Sequence, residues 1–233
     1  MRLLTLNLRH GGGRRMPALL SFLLAGGADV LVLTEFRNNA AGTALRNGLL
    51  AAGYTHQMAS HDAPRVNAIL IAAREPFRVR PEPALRFDPM RLLNVEFARC
   101  GLLGLHLPNL KAKIPHWKAL LKLAGNAPCT HRIYLGDFNT GRVPEDVEGA
   151  DFRFTATAHM EALLHKGWSD AWRRLHPHGR EFSWYSHRGR GFRLDHAFLS
   201  PACGPLLRAA EFDHGVRERG LTDHSALLVE LDS

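Results

Sequence analysis

The chain has 233 residues, 45% of them apolar, which is enough to bury one large core, and no linker or repeat divides it, so a single domain over residues 1–233 is expected. A formal charge of +8 favours an anionic partner, nucleic acid first among them. No apolar run approaches the roughly 18 residues of a membrane span, the start lacks a secretory leader's pattern, and Cys100, Cys129 and Cys203 are too widely spaced for a disulfide framework or a zinc site, so a reducing, cytoplasmic setting is expected.

Residues 2–8 alternate and stop at Arg9-His10-Gly11-Gly12-Gly13, a strand running into a loop. Residues 16–25 carry Leu19, Leu20, Leu23 and Leu24 at helical spacing, with Pro17 suited to a first turn. The stretch Asp29–Glu35, apolar without a break from Val30 to Leu33, reads as a buried strand that delivers Glu35 at its end. A helix at 41–52 and a strand at 66–72 follow. Residues 92–97 and 102–107 read as paired strands, the second delivering His106. A helix at 115–124 is flanked and lined by Lys111, Lys113, Lys118 and Lys122. Residues 131–135 form a strand, 155–166 a helix, and 182–186 and 192–199 two further strands joined by a basic turn. The last strand spans 226–231. Strands and helices mix, but helices do not follow every strand, which disfavours a plain doubly wound sheet.

The stretch after the strand at 131–135 is Gly136-Asp137-Phe138-Asn139-Thr140. A carboxylate and a carboxamide two residues apart can hold a metal ion, a water or a phosphate oxygen, but Gly, Asp and Asn are also the usual turn residues. The rest of the chain decides between them. Asn7, Glu35, His106, Asp137, Asn139, Asp195, Asp223 and His224 all stand where apolar strands begin or end. Neighbouring strand ends share one rim of a sheet, so a common pocket is expected.

The segments "LTEF", "GLHLPN", "YLGDFNTG", "RLDHAFLS" and "LTDHSALLVEL", in that order after Asn7, resemble the motifs of the endonuclease/exonuclease/phosphatase superfamily along nearly the whole chain. The combination of "GDFN", "RLDH" and "TDHSAL" carries the resemblance. "WSDAWRRLHP" followed by "EFSWYSHRGRGFRLDHAFLS" is similar to the exonuclease III and abasic-site endonuclease branch. His106, where that branch has a Tyr, and Arg37 after Glu35 look more like deoxyribonuclease I, and Asn67 replaces a glycine common in the family.

The resemblance implies an α/β fold, a four-layer α/β/β/α sandwich of two mixed sheets flanked by helices. It implies a Mg²⁺- or Mn²⁺-dependent nuclease that hydrolyses DNA phosphodiesters as a 3′–5′ exonuclease or abasic-site endonuclease, working as a monomer. RNA, phospholipid and inositol phosphate are the alternative substrates, and a non-catalytic nucleic-acid-binding protein is the alternative of another class. On this resemblance Glu35 holds the metal, joined by Asp223 and by the carboxamide oxygen of Asn7. His224 and Asp195 form a His–carboxylate pair. His224 and Asp137 are both candidates to activate the water, with Asn139 orienting Asp137 or binding phosphate and His106 assisting at the phosphoryl or leaving oxygen. Arg37, Arg188, Arg190 and Arg193 are expected to contact phosphates. Trp184 and Phe192 are expected to wall a pocket for an unstacked nucleotide or an abasic sugar. His196 is expected to point away from Asp195 by strand alternation, and the cysteines to pack as small apolar groups.

Overall fold

The apolar runs near the N-terminus lie side by side as parallel strands, Leu3 opposite Val30 and Leu6 opposite Leu33. Both faces of each are covered, so the alternation expected for residues 2–8 is not an alternation of burial: all of β1 after Arg2 is buried. The computed structural model describes residues 1–125 and 130–232, and Cys129 lies outside them. In chain order the elements are β1 (Arg2–Asn7), α1 (Met16–Ala25), β2 (Val30–Phe36), α2 (Ala40–Ala51), β3 (His56–Ala59), β4 (Ala68–Ala73), β5 (Arg78–Val79), β6 (Leu92–Glu96), β7 (Gly101–His106) and α3 (Ile114–Gly125). There follow β8 (Arg132–Asp137), α4 (Thr157–His165), β9 (Ser169–Asp170), α5 (Ala171–Leu175), β10 (Trp184–Tyr185), β11 (Gly191–Phe192), β12 (Asp195–Leu199), β13 (Leu207–Asp213), α6 (Gly215–Glu218) and β14 (Ala226–Leu231).

One six-stranded sheet runs β13-β14-β1-β2-β4-β3 and a second runs β5-β6-β7-β8-β12-β9. Each contains one parallel pair, β1 with β2 and β7 with β8, among antiparallel neighbours. The inner faces meet in a core that includes Val32, Ile71, Leu102, Leu135, Ala197 and Val229. The outer face of the first sheet packs on α1 and α2 through Leu31, Leu33, Leu19, Leu23, Leu45 and Leu49. The outer face of the second packs on α3 and α4 through Leu105, Tyr134, Phe198, Trp117, Leu120 and Met160. This is the expected four-layer sandwich. Cys100 and Cys203 are buried free thiols.

The strand at 182–186 shrinks to the two residues of β10, and the one expected at 192–199 divides into β11 and β12. The break falls at Arg193, whose side chain turns inward and is completely buried. Its guanidinium donates to Asp146 Oδ1 at 2.6 and 2.9 Å and to Asp170 Oδ1 at 3.0 Å. Arg173 also pairs with Asp146, at 3.2 Å. Burial opposes the charge on Arg193, but the two carboxylates overcome this and raise its pKa. The expected phosphate contact by Arg193 is therefore incorrect: a side chain with no exposure and two internal carboxylates cannot reach a substrate. Its effect is on stability. Arg193→Met leaves buried carboxylates short of their main counter-charge and is expected to cost roughly 3–5 kcal/mol in urea unfolding. A loss below about 1 kcal/mol would contradict this assignment.

Candidate active site

Strand direction assembles the site. β1, β2, β7 and β8 end at one rim, where β12 and β14, antiparallel to β8 and β1, begin. Register places His106 beside Asp137 and Asp137 beside Asp195, so three ligand-capable side chains form a row across β7, β8 and β12. From the other sheet Asn7 reaches over and donates its Nδ2 to Asp137 Oδ2 and to Glu35 Oε1, both at 3.2 Å. The rim is thereby closed between the sheets into a cleft of about 600 Å³. Asn7, Glu35, His106, Asp137, Asn139, Asp223, His224, Trp184 and Phe192 line it, and Asp195 backs it through His224.

The stretch Gly136–Thr140 forms a turn, and Asp137 and Asn139 line the cleft. Gly136 has φ +145°, and a Cβ there would fall 2.0 Å from the Leu105 carbonyl oxygen, so glycine lets β8 run tight against β7. Asn139 N–H donates to Asp137 Oδ1 at 2.9 Å, an Asx turn, and Asn139 Nδ2 donates to the Leu107 carbonyl at 2.8 Å. Phe138 points the other way into packing with Trp117 and Phe198. Five non-glycine residues with positive φ occur among the described residues: Arg9, His10, Glu35, Leu110 and Asn139. All lie in the cleft wall or directly beside Glu35 or Asn7. Such strain persists where surrounding contacts over-determine it, and it concentrates at functional sites.

Glu35 illustrates how that strain is held. It sits at a bulge between β2 and β4 with φ +53°. Its Oε2 accepts from His10 N–H at 2.8 Å and from Asn67 Nδ2 at 3.0 Å, and Asn67 in turn accepts from Arg37 Nε at 2.7 Å. Burial opposes ionisation of Glu35, but His106, the His10 N–H and Asn7 overcome it and lower its pKa. The carboxylate is thus held charged. Asn67, at the position where the family's glycine is common, is tied to both Glu35 and Arg37.

His224 Nδ1–H donates to Asp195 Oδ2 at 2.8 Å, and its Nε2 lies 3.9 Å from Asp137 Oδ2. Burial alone would discharge this imidazole. Asp195, hydrogen-bonded to it, with Asp137 and Asp223, pushes its pKa up to about 10. Asp137 is raised by burial and by the neighbouring charge of Asp195, with His224 and His106 opposing. His106, with Nε2 3.7 Å from Asp137 and 3.9 Å from Glu35, is lowered by burial against the pull of those two carboxylates. His224 is charged at neutral pH and His106 is disfavoured as a cation.

The raised His224 has a consequence for stability. Its folded pKa, about 10, exceeds its unfolded value of 6.5, so its contribution is complete below 6.5 and is lost as pH rises through about 10. The unfolding free energy should fall between these limits, and His224→Gln should flatten that fall. Parallel profiles for the two proteins would contradict the assignment.

A hard divalent cation requires oxygen donors, and Glu35 Oε1 and the Asp223 carboxylate line the cleft. Two such carboxylates in one cleft are donors of the kind a hard divalent cation takes. Asp223 Oδ2 accepts from Trp184 Nε1 at 3.3 Å. Asn7 does not meet the expectation of an oxygen ligand: its Oδ1 accepts the Arg9 N–H at 2.9 Å, and its NH₂ faces the two carboxylates. It bridges Glu35 and Asp137 instead. Asp137, Asp195 and His224 also bring ligand atoms within 4.8 Å of one another, but the 2.8 Å His224–Asp195 contact is a hydrogen bond whose proton occupies the space between them.

Arg188 and Arg190 lie in the turn joining β10 and β11, and Arg190 pairs with Asp151 at 2.9 Å. Ser186 and His187 of that turn reach the cleft. Trp184 and Phe192 join Phe152 and Phe154 in an aromatic wall, with ring centroids 4.9 Å apart for Phe152–Phe192 and 5.7 Å for Trp184–Phe192. Sequence reading missed Phe152 and Phe154, which stand in a loop without strand or helix pattern. It counted Lys113 only among the lysines that flank and line the helix at 115–124, whereas Lys113 is buried in the cleft wall. His196 points away from Asp195, bonded to Asp170 at 3.0 Å and to the Thr140 carbonyl at 2.8 Å.

The chain belongs to the endonuclease/exonuclease/phosphatase family, whose sequence profile matches residues 4–224. No curated relative matches it by sequence. Among solved structures, it is similar over 100% of both chains to the 3′ phosphatase NExo from Neisseria bound to a product DNA hairpin, with a TM-score of 0.87 at 23% identity. An AP endonuclease from Archaeoglobus fulgidus matches at TM-score 0.85 and 20% identity, again over 100% of both chains. The 3′–5′ exonuclease NExo from Neisseria meningitidis matches at 0.84 and 23% over the same coverage. At these identities the likeness establishes the fold.

Proposed function

We propose that this protein is a divalent-metal-dependent nuclease that hydrolyses DNA phosphodiesters, as a 3′–5′ exonuclease, an abasic-site endonuclease or both, and that it acts as a single-domain monomer. The observation that carries the reading is the site itself: a buried Asp195–His224 pair at 2.8 Å, with Asp137 beside it and a charged Glu35 joined to Asp137 through Asn7. The +8 charge and the likeness to DNA-processing structures favour DNA among phosphoesters. No helix among the described residues is long and apolar enough to cross a membrane.

The residues divide the chemistry as follows. His224, charged between carboxylates, stabilises negative charge developing on the phosphoryl oxygens. Asp195 accepts from its Nδ1–H, which holds the ring's orientation and its charge. Asp137, with its proton affinity raised, takes the proton from the attacking water, and the Asn139 N–H and Asn7 Nδ2 aim its two oxygens. His106 hydrogen-bonds a phosphoryl or leaving oxygen. A bound Mg²⁺ or Mn²⁺, held by Glu35 and Asp223, would supply Lewis-acid charge neutralisation. The aromatic wall of Trp184, Phe192, Phe152 and Phe154 seats the sugar or base beside the reacting phosphate, and Arg37, Arg188 and Arg190 contact flanking phosphates.

A time course with Mg²⁺ on end-labelled single-stranded, double-stranded and abasic-site DNA tests this reading, with RNA, a phospholipid and an inositol phosphate at matched metal. Stepwise shortening from 3′ ends identifies the exonuclease, and a single cut at the abasic site identifies the endonuclease. Hydrolysis confined to the lipid or inositol substrate would overturn it.

A further inference from the structure

Lys113 ends the short helical turn at Leu110–Lys113 that leads into α3. It is only 3% exposed, yet it lines the cleft. Its Nζ donates to the carbonyl oxygen of Asn139. That hydrogen bond and the reciprocal one from Asn139 Nδ2 to Leu107 pin the turn and the Asp137–Asn139 segment together from both sides. An ammonium carries three donors and no acceptor. Among the described residues no carboxylate forms an ion pair with it, and Asp137 acts on it only from a distance.

The contrast with Arg193 is informative. Arg193 is buried and fully matched by Asp146 and Asp170, whereas Lys113 is buried at the cleft and left with one neutral acceptor. A buried cation without a counter-ion is costly and is retained where an anion completes it. The open side of this ammonium is the cleft that also holds Asp137, Asn139 and His224.

We propose that Lys113 binds the reacting phosphate directly, its ammonium neutralising a non-bridging phosphoryl oxygen held above Asp137 and Asn139. This rests on the phosphoester reading of the cleft. Lys113 donates charge-assisted hydrogen bonds to that oxygen from the turn that leads into α3. It is a catalytic residue that a pattern of basic helix positions conceals.

Inorganic phosphate is the probe, titrated without metal into the full chain, into Lys113→Met and into Lys113→Arg, and followed by calorimetry. Lys113→Met should weaken phosphate binding about 10- to 100-fold, the range of a lost hydrogen bond to a charged group, while Lys113→Arg recovers most of it. Thermal unfolding of Lys113→Met without phosphate should be unchanged or raised, because an uncompensated buried charge has been removed. A purely structural lysine would give the reverse: lowered stability and unaltered phosphate affinity. In wild-type protein labelled with ¹⁵N at lysine Nζ, the Lys113 resonance should shift on adding phosphate, which keeps the test available if a variant misfolds. Unchanged affinity in Lys113→Met, or an unmoved Lys113 resonance, in a protein that still cleaves DNA overturns the proposal and leaves the nuclease reading intact. A wild-type protein that hydrolyses no phosphoester overturns both.

Discussion

Asp137→Asn is expected to lower kcat for DNA hydrolysis by about 10²- to 10⁴-fold, the range a positioned general base contributes. The substitution preserves size, and the Asn carbonyl can still accept the Asn139 N–H that now reaches Asp137 Oδ1 at 2.9 Å. It removes the proton-accepting oxygen, and it turns an NH₂ toward the Asn7 Nδ2 that now donates to Oδ2. It also relieves the repulsion between Asp137 and Asp195, one of the two causes that raise the Asp137 pKa. The folded state should therefore survive, which circular dichroism and thermal unfolding can check. KM for DNA should change far less than kcat, because Arg37, Arg188, Arg190 and the aromatic wall are untouched. A kcat within about threefold of wild type would remove Asp137 from the chemistry.

Glu35→Gln is expected to act through the cation instead. Loss of hydrogen-bonding partners around a metal site typically costs about 10–100-fold in metal affinity, and loss of a ligating carboxylate should cost at least the upper end of that range. Electron paramagnetic resonance of added Mn²⁺ reads this directly. The backbone at Glu35 is strained, with φ +53°, so a weaker variant must be distinguished from a collapsed one. Gln keeps the side-chain length and can still accept from the His10 N–H that holds Oε2. The fold should persist, and saturating Mn²⁺ should restore part of the rate. Mn²⁺ affinity equal to that of wild type would place the metal away from Glu35.

The parts of the fold that the sequence displays are those built from long apolar runs. β1, β2, β4, β7, β8 and β14 are such runs, and the helix expected at 16–25 spans Met16–Ala25. The edge strands were invisible for a physical reason. β13 alternates irregularly and leaves Arg208, Glu211 and Asp213 exposed, and β3, β5 and β9 are two to four residues long. None buries two faces, so none needs an apolar run. The same logic governs the site. A carboxylate or imidazole ending an apolar run stands out, and Glu35, His106, Asp137, Asp195 and His224 do come together. Arg193 misled because a basic residue near a site reads as a phosphate contact until its partners are known. Those partners, Asp146 and Asp170, lie 47 and 23 residues away in the chain, and only folding brings them together. Asn7 was expected to offer its oxygen, but the backbone N–H of Arg9 claims that oxygen and turns the amide around. Lys113 was hidden because nothing in a basic segment distinguishes an exposed ammonium from a buried one.

The most direct test of the nuclease reading is metal withdrawal and return on a 3′-end-labelled DNA duplex. Wild-type protein should release label with Mg²⁺, stop when EDTA is added and resume when Mg²⁺ is restored in excess, while Asp137→Asn prepared in parallel stays slow throughout. Label release that persists in EDTA, or that Asp137→Asn matches, would contradict a metal-dependent site centred on Asp137.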